Sequence, residues 1–324
     1  MADILAFTPR SVTPAGDLEV LAVRFLGHLS ARSYAANTLQ AYRRDLERLV
    51  GFLAGLDIRL VQSVAPQHID RWLEALVHGE GLSPRTAARA LEAAKGLFRF
   101  AVRRDWLTEQ ANPMRHVEPP RWHARKVVAP EEGTLLRVID GIPADTRLGL
   151  RDRALFRLMY AAGLRVTAIA SLDLYDPDRP PRFTVLPSGR VTYLNKGGAE
   201  KETVADETAM ERLAEWLPVR HAFERQDSPP ALFLSSRGGR LTRAGIHQRL
   251  REYGERAGVP GLHCHLLRHR RIGEVMDRAG LPLAHYLSGH SRTSTTADTY
   301  GQQSQERLRM RLLRECPVGG ARHA

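Results

Sequence analysis

Residues 112–130, NPMRHVEPPRWHARKVVAP, hold four prolines in nineteen positions. Proline fixes φ, lacks an N–H donor and drives the preceding residue out of the helical region, so no helix or central strand runs through such a stretch. It reads as an extended, semi-rigid linker. The 324-residue chain must therefore fold as two parts, each with a core of its own. The expected boundaries are a tail over 1–17, a helical domain over 18–111, the linker over 112–130, a second domain over 131–315 and a tail over 316–324.

Hydrophobic periodicity differs on the two sides of that linker. Leu18, Leu21, Ala22, Phe25, Leu26 and Leu29 form one helical stripe. Leu39, Tyr42, Leu46, Leu49, Val50 and Leu53 form another, with Asn37-Thr38 as its expected cap. Pro66 opens a helix expected to reach Val77, and Ser83-Pro84 supplies an N-cap and first-turn proline for a long helix through Arg104. In the second part, EEGTLLRVIDGI and LGLRDRALFRLMYAAGL are helical, the latter ending at Gly163. RFTVLP and RVTYLN alternate around Ser188-Gly189 as a hairpin, and KETVAD offers a third strand. Helical patterns then return in TAMERLAEWLPVRHAF, TRAGIHQRLREYGERAG, HLLRHRRIGEVMDRAG and SQERLRMRLLREC. The expected fold class is mainly α in two domains: a helical bundle, then an α+β domain with a small antiparallel sheet.

Charge points to the partner. The net charge of +12 suggests a polyanion, nucleic acid first. Residues 1–120 hold 15 basic and 13 acidic side chains, while the remainder holds 33 and 23, so the excess lies in the second part. Only Lys95, Lys126, Lys196 and Lys201 are lysines; arginine supplies the rest. Arg43, Arg44, Arg85, Arg89, Lys95 and Arg99 punctuate two helices of the first part, and Arg243 and His247 open a helix of the second. These are candidate DNA contacts, with solvated helix faces as the competing reading. No run of about eighteen apolar residues marks a membrane span. The N-terminus lacks the pattern of a signal peptide, and two cysteines, Cys264 and Cys316, fit a reducing cytoplasm, the expected location.

The densest chemistry lies in GLHCHLLRHRR, residues 261–271, which admits a zinc site, a phosphate clamp or a basic helix. Zinc is disfavoured: His265 and His269 share a helical face, but three arginines crowd them and no second Cys/His group stands at ligand spacing. An anion is favoured, because His265 and Arg268 lie one turn apart near a helix start, where free amides and the dipole add to their charge. His263 and Cys264 are expected to be structural, Arg270 and Arg271 to be basic surface, and His269 to support the site or the fold. Arg165 follows a helix end in an apolar setting, which calls for an anion or for a carboxylate such as Asp152 or Asp173. Gly289-His290, a Ser/Thr-rich loop and Tyr300 follow, and Lys196 lies just beyond a strand.

In that order, Arg165, Lys196, His265, Arg268, His290 and Tyr300 resemble the catalytic set of the tyrosine recombinase, or phage integrase, family. GLR, HLLRH, GHS with STT, and the tyrosine carry the likeness most specifically. NTLQAYRRDLERLVGFL and the NP…PP segment resemble the SAM-like core-binding domain of Xer-like members, so the similarity spans roughly residues 18–315. The resemblance implies a two-domain, C-shaped clamp on double-stranded DNA that cuts and rejoins strands for integration, excision or dimer resolution. Tyr300 would attack a backbone phosphate to leave a 3′-phosphotyrosyl enzyme and a 5′-hydroxyl, conserving the bond energy without ATP. Arg165 and Arg268 would brace the non-bridging oxygens, His265 would assist proton movement, and His290 would bind the phosphate or orient its neighbours. Lys196 would be the general acid, with Lys201 the competing candidate. No metal or other cofactor is implied.

The resemblance further implies a homo-oligomer, a tetramer on two DNA sites, in which the helix after Tyr300 docks in a neighbouring protomer; packing on its own domain is the alternative. A paralogous recombinase or an accessory protein is a possible partner, and no membrane is involved. Two features depart from the family pattern. His290 and Tyr300 are ten residues apart where nine is usual, and Ala168 stands where a glutamate commonly follows the first arginine by three positions. They keep open a second reading, a DNA-binding relative with impaired catalysis.

Overall fold

The first helix, α1 (Leu18–Ala31), starts where Asp17 accepts the backbone N–H groups of Glu19 at 2.9 Å and Val20 at 3.1 Å. Such a cap satisfies otherwise orphaned donors and stabilises a helix by ~1 kcal/mol. The computed structural model describes residues 16–121, 129–195 and 198–289. It divides into two units, residues 1–126 and 127–324.

In the first unit α1 is followed by α2 (Ala36–Ala54), α3 (Pro66–Glu74) and α4 (Pro84–Arg103). Their apolar stripes meet in one core built around Trp72, Phe25, Phe98, Leu46, Leu49 and Leu53. Ser83 caps α4 as its sequence requires, accepting from Thr86 N–H at 3.2 Å. Two helix ends depart from expectation. Helix α2 begins at Ala36 with Ala35 as an N-cap that has no side-chain bond, because alanines are good enough helix formers to draw the start past Asn37. Helix α3 stops at Glu74 and turns on as a single π turn over Ala75–Gly79, short of a regular helix through Val77.

The second unit holds α5 (Glu132–Asp140), α6 (Arg147–Ala161), α7 (Val166–Ser171), β1 (Arg190–Leu194), β2 (Glu200–Val204), α8 (Glu207–Arg220), α9 (Arg243–Arg256), α10 (Cys264–Ala279) and α11 (Leu281–Ser288). Among the described residues the sheet is the antiparallel β1–β2 pair, with Tyr193 opposite Lys201. The segment RFTVLP does not form a full strand. It makes bridges only, with Thr184 and Thr192 exchanging backbone bonds of 3.1 and 2.9 Å. Pro180, Pro181 and Pro187 lack N–H donors and confine that pairing to a few residues.

Helix α6 is the spine of this unit. Its Asp152 is 1% exposed and accepts from Arg249 Nε at 2.7 Å and the Tyr253 hydroxyl at 2.9 Å, pinning α9. Arg151 donates to the same carboxylate at 2.8 Å and to the Leu234 carbonyl at 2.9 Å. A buried carboxylate so fully hydrogen-bonded is tolerated, whereas removing one partner would leave an uncompensated charge. The Trp216 indole of α8 donates to the Leu232 carbonyl at 3.0 Å and fills the core beside Phe223 and Phe233. With α6 fixed on both sides, its C-terminus presents Gly163 and Arg165 in one place. Among the described residues no helix is long and apolar enough to cross a membrane.

Candidate active site

Helix α6 ends in a reversal that only glycine makes cheaply. Gly163 has φ +58°, and a Cβ there would lie 3.1 Å from the Leu287 side chain of α11. The Leu164 N–H returns to the Met159 carbonyl at 3.0 Å, closing the helix, and Arg165 becomes the N-cap of α7. The turn thus aims the Arg165 side chain toward the sheet. Its Nη1 donates to Asn195 Oδ1 at 2.5 Å. The two carboxylates that offered an alternative pairing are engaged elsewhere, Asp152 by Arg151 and Arg249 and Asp173 by Arg240.

Helix α10 begins at Cys264, with His263 as N-cap, so His265 and Arg268 stand in its first turn and a half. Arg268 is 1% exposed. Its two terminal nitrogens donate to the carbonyls of Gly163 and Ser288. A guanidinium can serve both because its five N–H donors fan out in a plane. Arg268 thereby joins three elements: the end of α6 just before Arg165, α10 itself, and the end of α11. His265 opens to solvent on the same turn. Partial desolvation, then the charges of Arg268, His269, His263 and Arg165, hold its imidazole below the ordinary histidine value. These influences favour the neutral imidazole, the form able to accept a proton.

Helix α11 ends at Gly289, in the left-handed region at φ +55°, directly before His290. Asn195 Nδ2 donates to the Gly289 carbonyl at 2.6 Å, and a Cβ on Gly289 would lie 2.7 Å from the Tyr193 hydroxyl. Tyr193 is 1% exposed, and burial raises its phenol pKa while Arg268 and Arg165 pull it down. Asn195 gives no local sequence signal, because its partners lie 30 and 94 residues away. The structure thus brings Arg165, His265 and Arg268 together, with the chain neighbours of Lys196 and His290 on the same spot. Lys196, His290, Tyr300 and the helix after Tyr300 lie outside the described residues. Lys201 is exposed on β2, opposite Tyr193. Ala168 is buried within α7.

The rest of GLHCHLLRHRR resolves residue by residue. Cys264 is buried, and burial pushes its thiol up to about 12, so a metal-binding thiolate is disfavoured. Among the described residues no three His, Cys, Asp or Glu side chains form a metal-binding group. His263 sits against the Gly261 carbonyl at 2.9 Å, and His269 is buried. Arg270 and Arg271 are not ordinary surface. Arg270 pairs with buried Glu274 of the same helix, and Arg271 donates to the Ala161 carbonyl at 3.3 Å with its guanidinium over Tyr160, because its side of α10 packs on α6.

The candidate DNA contacts of the first unit divide similarly. Arg89 of α4 forks onto Asp45 of α2, whose carboxylate is fully buried; burial raises that carboxyl's pKa while Arg89 and Arg48 lower it. Lys95 pairs with Glu92 at 3.7 Å, and Arg99 Nε donates to the Lys95 carbonyl at 3.3 Å. Arg43 and Arg44 stand on α2 and Arg85 at the start of α4. On α9, Arg243 is exposed, and desolvation with the charges of His263, Arg251 and Arg243 lowers the pKa of His247.

Comparison with known proteins matches both units. Residues 133–307 match the phage integrase family, and residues 22–105 match the phage integrase N-terminal SAM-like domain. Tyrosine recombinase XerC of Pseudomonas fluorescens Pf-5 is 33% identical over 274 residues, covering 84% of this chain and 88% of the relative. Tyrosine recombinase XerC of Ralstonia pickettii 12J is 34% identical over 279 residues, covering 82% and 84%. Among solved structures, the XerH site-specific recombinase in a post-cleavage complex with palindromic difH substrate aligns with a TM-score of 0.70 at 19% identity, over 91% of this chain and 88% of that one. The Tn1549 transposon integrase in complex with transposon right end DNA aligns with a TM-score of 0.71 at 15% identity, over 92% and 99%. With its catalytic and SAM-like regions both matched and its arginines and histidine gathered at one place, the chain belongs to the phage integrase family of tyrosine recombinases.

Proposed function

We propose that this protein is an active site-specific recombinase that cuts and rejoins double-stranded DNA through a 3′-phosphotyrosyl intermediate. The observation that carries the reading is the convergence of Arg165, His265 and Arg268 at the end of α6, with Asn195 and Gly289 bringing the positions before Lys196 and His290 to the same place. Tyr300 attacks the scissile phosphorus, its proton passing to the neutral His265. The P–O5′ bond breaks as the Tyr300–P bond forms, and Lys196 gives its proton to the departing 5′-oxygen. Arg165 and Arg268 stabilise the charge that grows on the non-bridging oxygens, and His290 hydrogen-bonds the same phosphate. Rejoining is the reverse, with a 5′-hydroxyl from the partner duplex as nucleophile. Two arginines and two histidines around one phosphate supply the charge stabilisation that other strand-transfer sites draw from metal ions.

By the same reading the partner is a DNA recombination site, and two duplexes are held by a homo-oligomer, in keeping with the tetramer on a Holliday junction formed by lambda integrase. We place Arg43, Arg44, Arg85, Lys95, Arg99, Arg243 and His247 on the DNA, with Arg89 acting chiefly through Asp45. The test is covalent capture on a nicked suicide duplex carrying the protein's recombination site. Wild type is expected to form an adduct that survives denaturant, and Tyr300→Phe none. An adduct of undiminished yield with Tyr300→Phe would refute the nucleophile. DNA binding without any adduct from wild type would support the impaired relative instead.

A further inference from the structure

Among the described residues, the Asn195 side chain hydrogen-bonds both Arg165 and the end of α11. Arg165 Nη1 donates to its Oδ1 at 2.5 Å, and its Nδ2 donates to the Gly289 carbonyl at 2.6 Å. A guanidinium only donates and a carbonyl only accepts, so a single orientation of the amide satisfies both partners. The asparagine is half-buried at the end of β1, two residues beyond the fully buried Tyr193. That burial fixes the backbone from which the amide reaches. On α7, one turn from Arg165, Ala168 offers no polar group, so the orienting contact comes from the sheet and not from the helix.

We propose that Asn195 is a positioning residue for strand exchange: it fixes the Arg165 guanidinium and ties it to the Gly289 carbonyl, immediately before His290. The proposal rests on the recombinase reading above. An amide suits the task better than a carboxylate. Its neutral oxygen orients the guanidinium without cancelling the positive charge that the phosphate needs, whereas a carboxylate at the same place would compete with the phosphate for Arg165. An aspartate would also turn a second oxygen toward the Gly289 carbonyl and lose that bond. Asparagine carries its acceptor and its donor on separate atoms of one short planar group, which a serine or threonine hydroxyl does not, and so holds both ends at once.

Two readouts separate this role from general stability. The first is the single-turnover rate of adduct formation on a suicide duplex recovered by covalent capture with wild type from a random-core library, set beside the dissociation constant for that duplex. The second needs no activity: the Arg165 side-chain Nε–H resonance, assigned by its loss in Arg165→Lys, reports whether the guanidinium is held. Asn195→Ala is expected to slow adduct formation roughly ten- to a hundredfold, the scale of a catalytic group misplaced by an ångström, with DNA affinity changed less than about threefold and the Arg165 signal mobile. Asn195→Asp is expected to keep Arg165 held yet still slow the reaction. Rates that simply follow the melting temperatures of the two variants would overturn the proposal, as would an Asn195→Ala protein with wild-type rate and wild-type Arg165 signal. A wild type that captures no duplex would refute the recombinase reading, while the Arg165 signal would still decide whether Asn195 holds the guanidinium.

Discussion

At the scale of single residues, Arg268 joins structure and chemistry in one side chain. Its spacing from His265 is visible in HLLRH, and its assignment to a phosphate followed from that spacing and from family resemblance. What the spacing could not convey is its burial at 1% exposure, or its bonds to the Gly163 and Ser288 carbonyls. Those partners lie 105 and 20 residues away, and no local pattern encodes them. Replacing Arg268 with methionine keeps most of the volume but leaves both carbonyls without this donor. Each buried polar group left unsatisfied costs about 1–3 kcal/mol, so Arg268→Met is expected to lose about 2 kcal/mol or more in denaturant unfolding as well as its adduct. Arg268→Lys keeps the charge and reaches fewer carbonyls, so it should fall between the two. Wild-type stability in Arg268→Met would show that the carbonyl bonds contribute nothing to the fold.

At the scale of elements, the sequence marked nearly every described helix, because amphipathic periodicity and Ser83 or Gly163 type boundaries act over a few residues. It overstates RFTVLP, where prolines confine the pairing, and it takes Arg270 and Arg271 of α10 for surface when one pairs with buried Glu274 and the other packs on α6. Helix faces that carry arginine read as exposed in any sequence; only a neighbour with a buried carboxylate such as Glu274 reverses them. The packing of α10 also sets a pH dependence. Burial lowers the pKa of His269, and desolvation with the nearby charges of Arg268, His269, His263 and Arg165 lowers that of His265. The unfolded chain binds protons at the ordinary histidine value of about 6.5, the folded helix only below it. Between those values the unfolded state holds more protons, so stability rises with pH and is lost as pH falls below about 6.5. The melting temperature is expected to drop from pH 7.5 to 5.5, and the His265→Gln/His269→Gln protein to show a flatter profile. An unchanged slope in the double variant would place the dependence elsewhere, for instance at His247.

At the scale of the whole molecule, the proline-rich segment 112–130 predicts two parts, and the described residues hold two main hydrophobic cores that share no member, one around Trp72 and Phe98 and one around Trp216 and Phe156, with a small third cluster of Ile272, Ala284 and Leu287 in the second unit. The first core takes in Met114 and Val117 from the segment's own N-terminal end, and the buried members of the second begin at Leu135. Elements bury their apolar faces against one another within 16–121, and separately within 129–289. The basic excess is divided unequally: 33 basic against 23 acidic residues follow Pro120, while 15 against 13 precede its end. Release of condensed counterions makes duplex affinity fall with salt in proportion to the phosphates neutralised, with a log–log slope of about −0.9 per contact. Fragments 16–121 and 129–324, expressed separately, are each expected to unfold cooperatively by circular dichroism. On a random-sequence duplex titrated from low to moderate salt, the second fragment is expected to have the steeper slope, because it carries most of the excess charge together with Arg165 and Arg268. A steeper slope from the first fragment would mean that the local grouping of Arg43, Arg44, Arg85 and Arg99 on α2 and α4 outweighs net charge, and that the helical unit supplies most of the phosphate contacts.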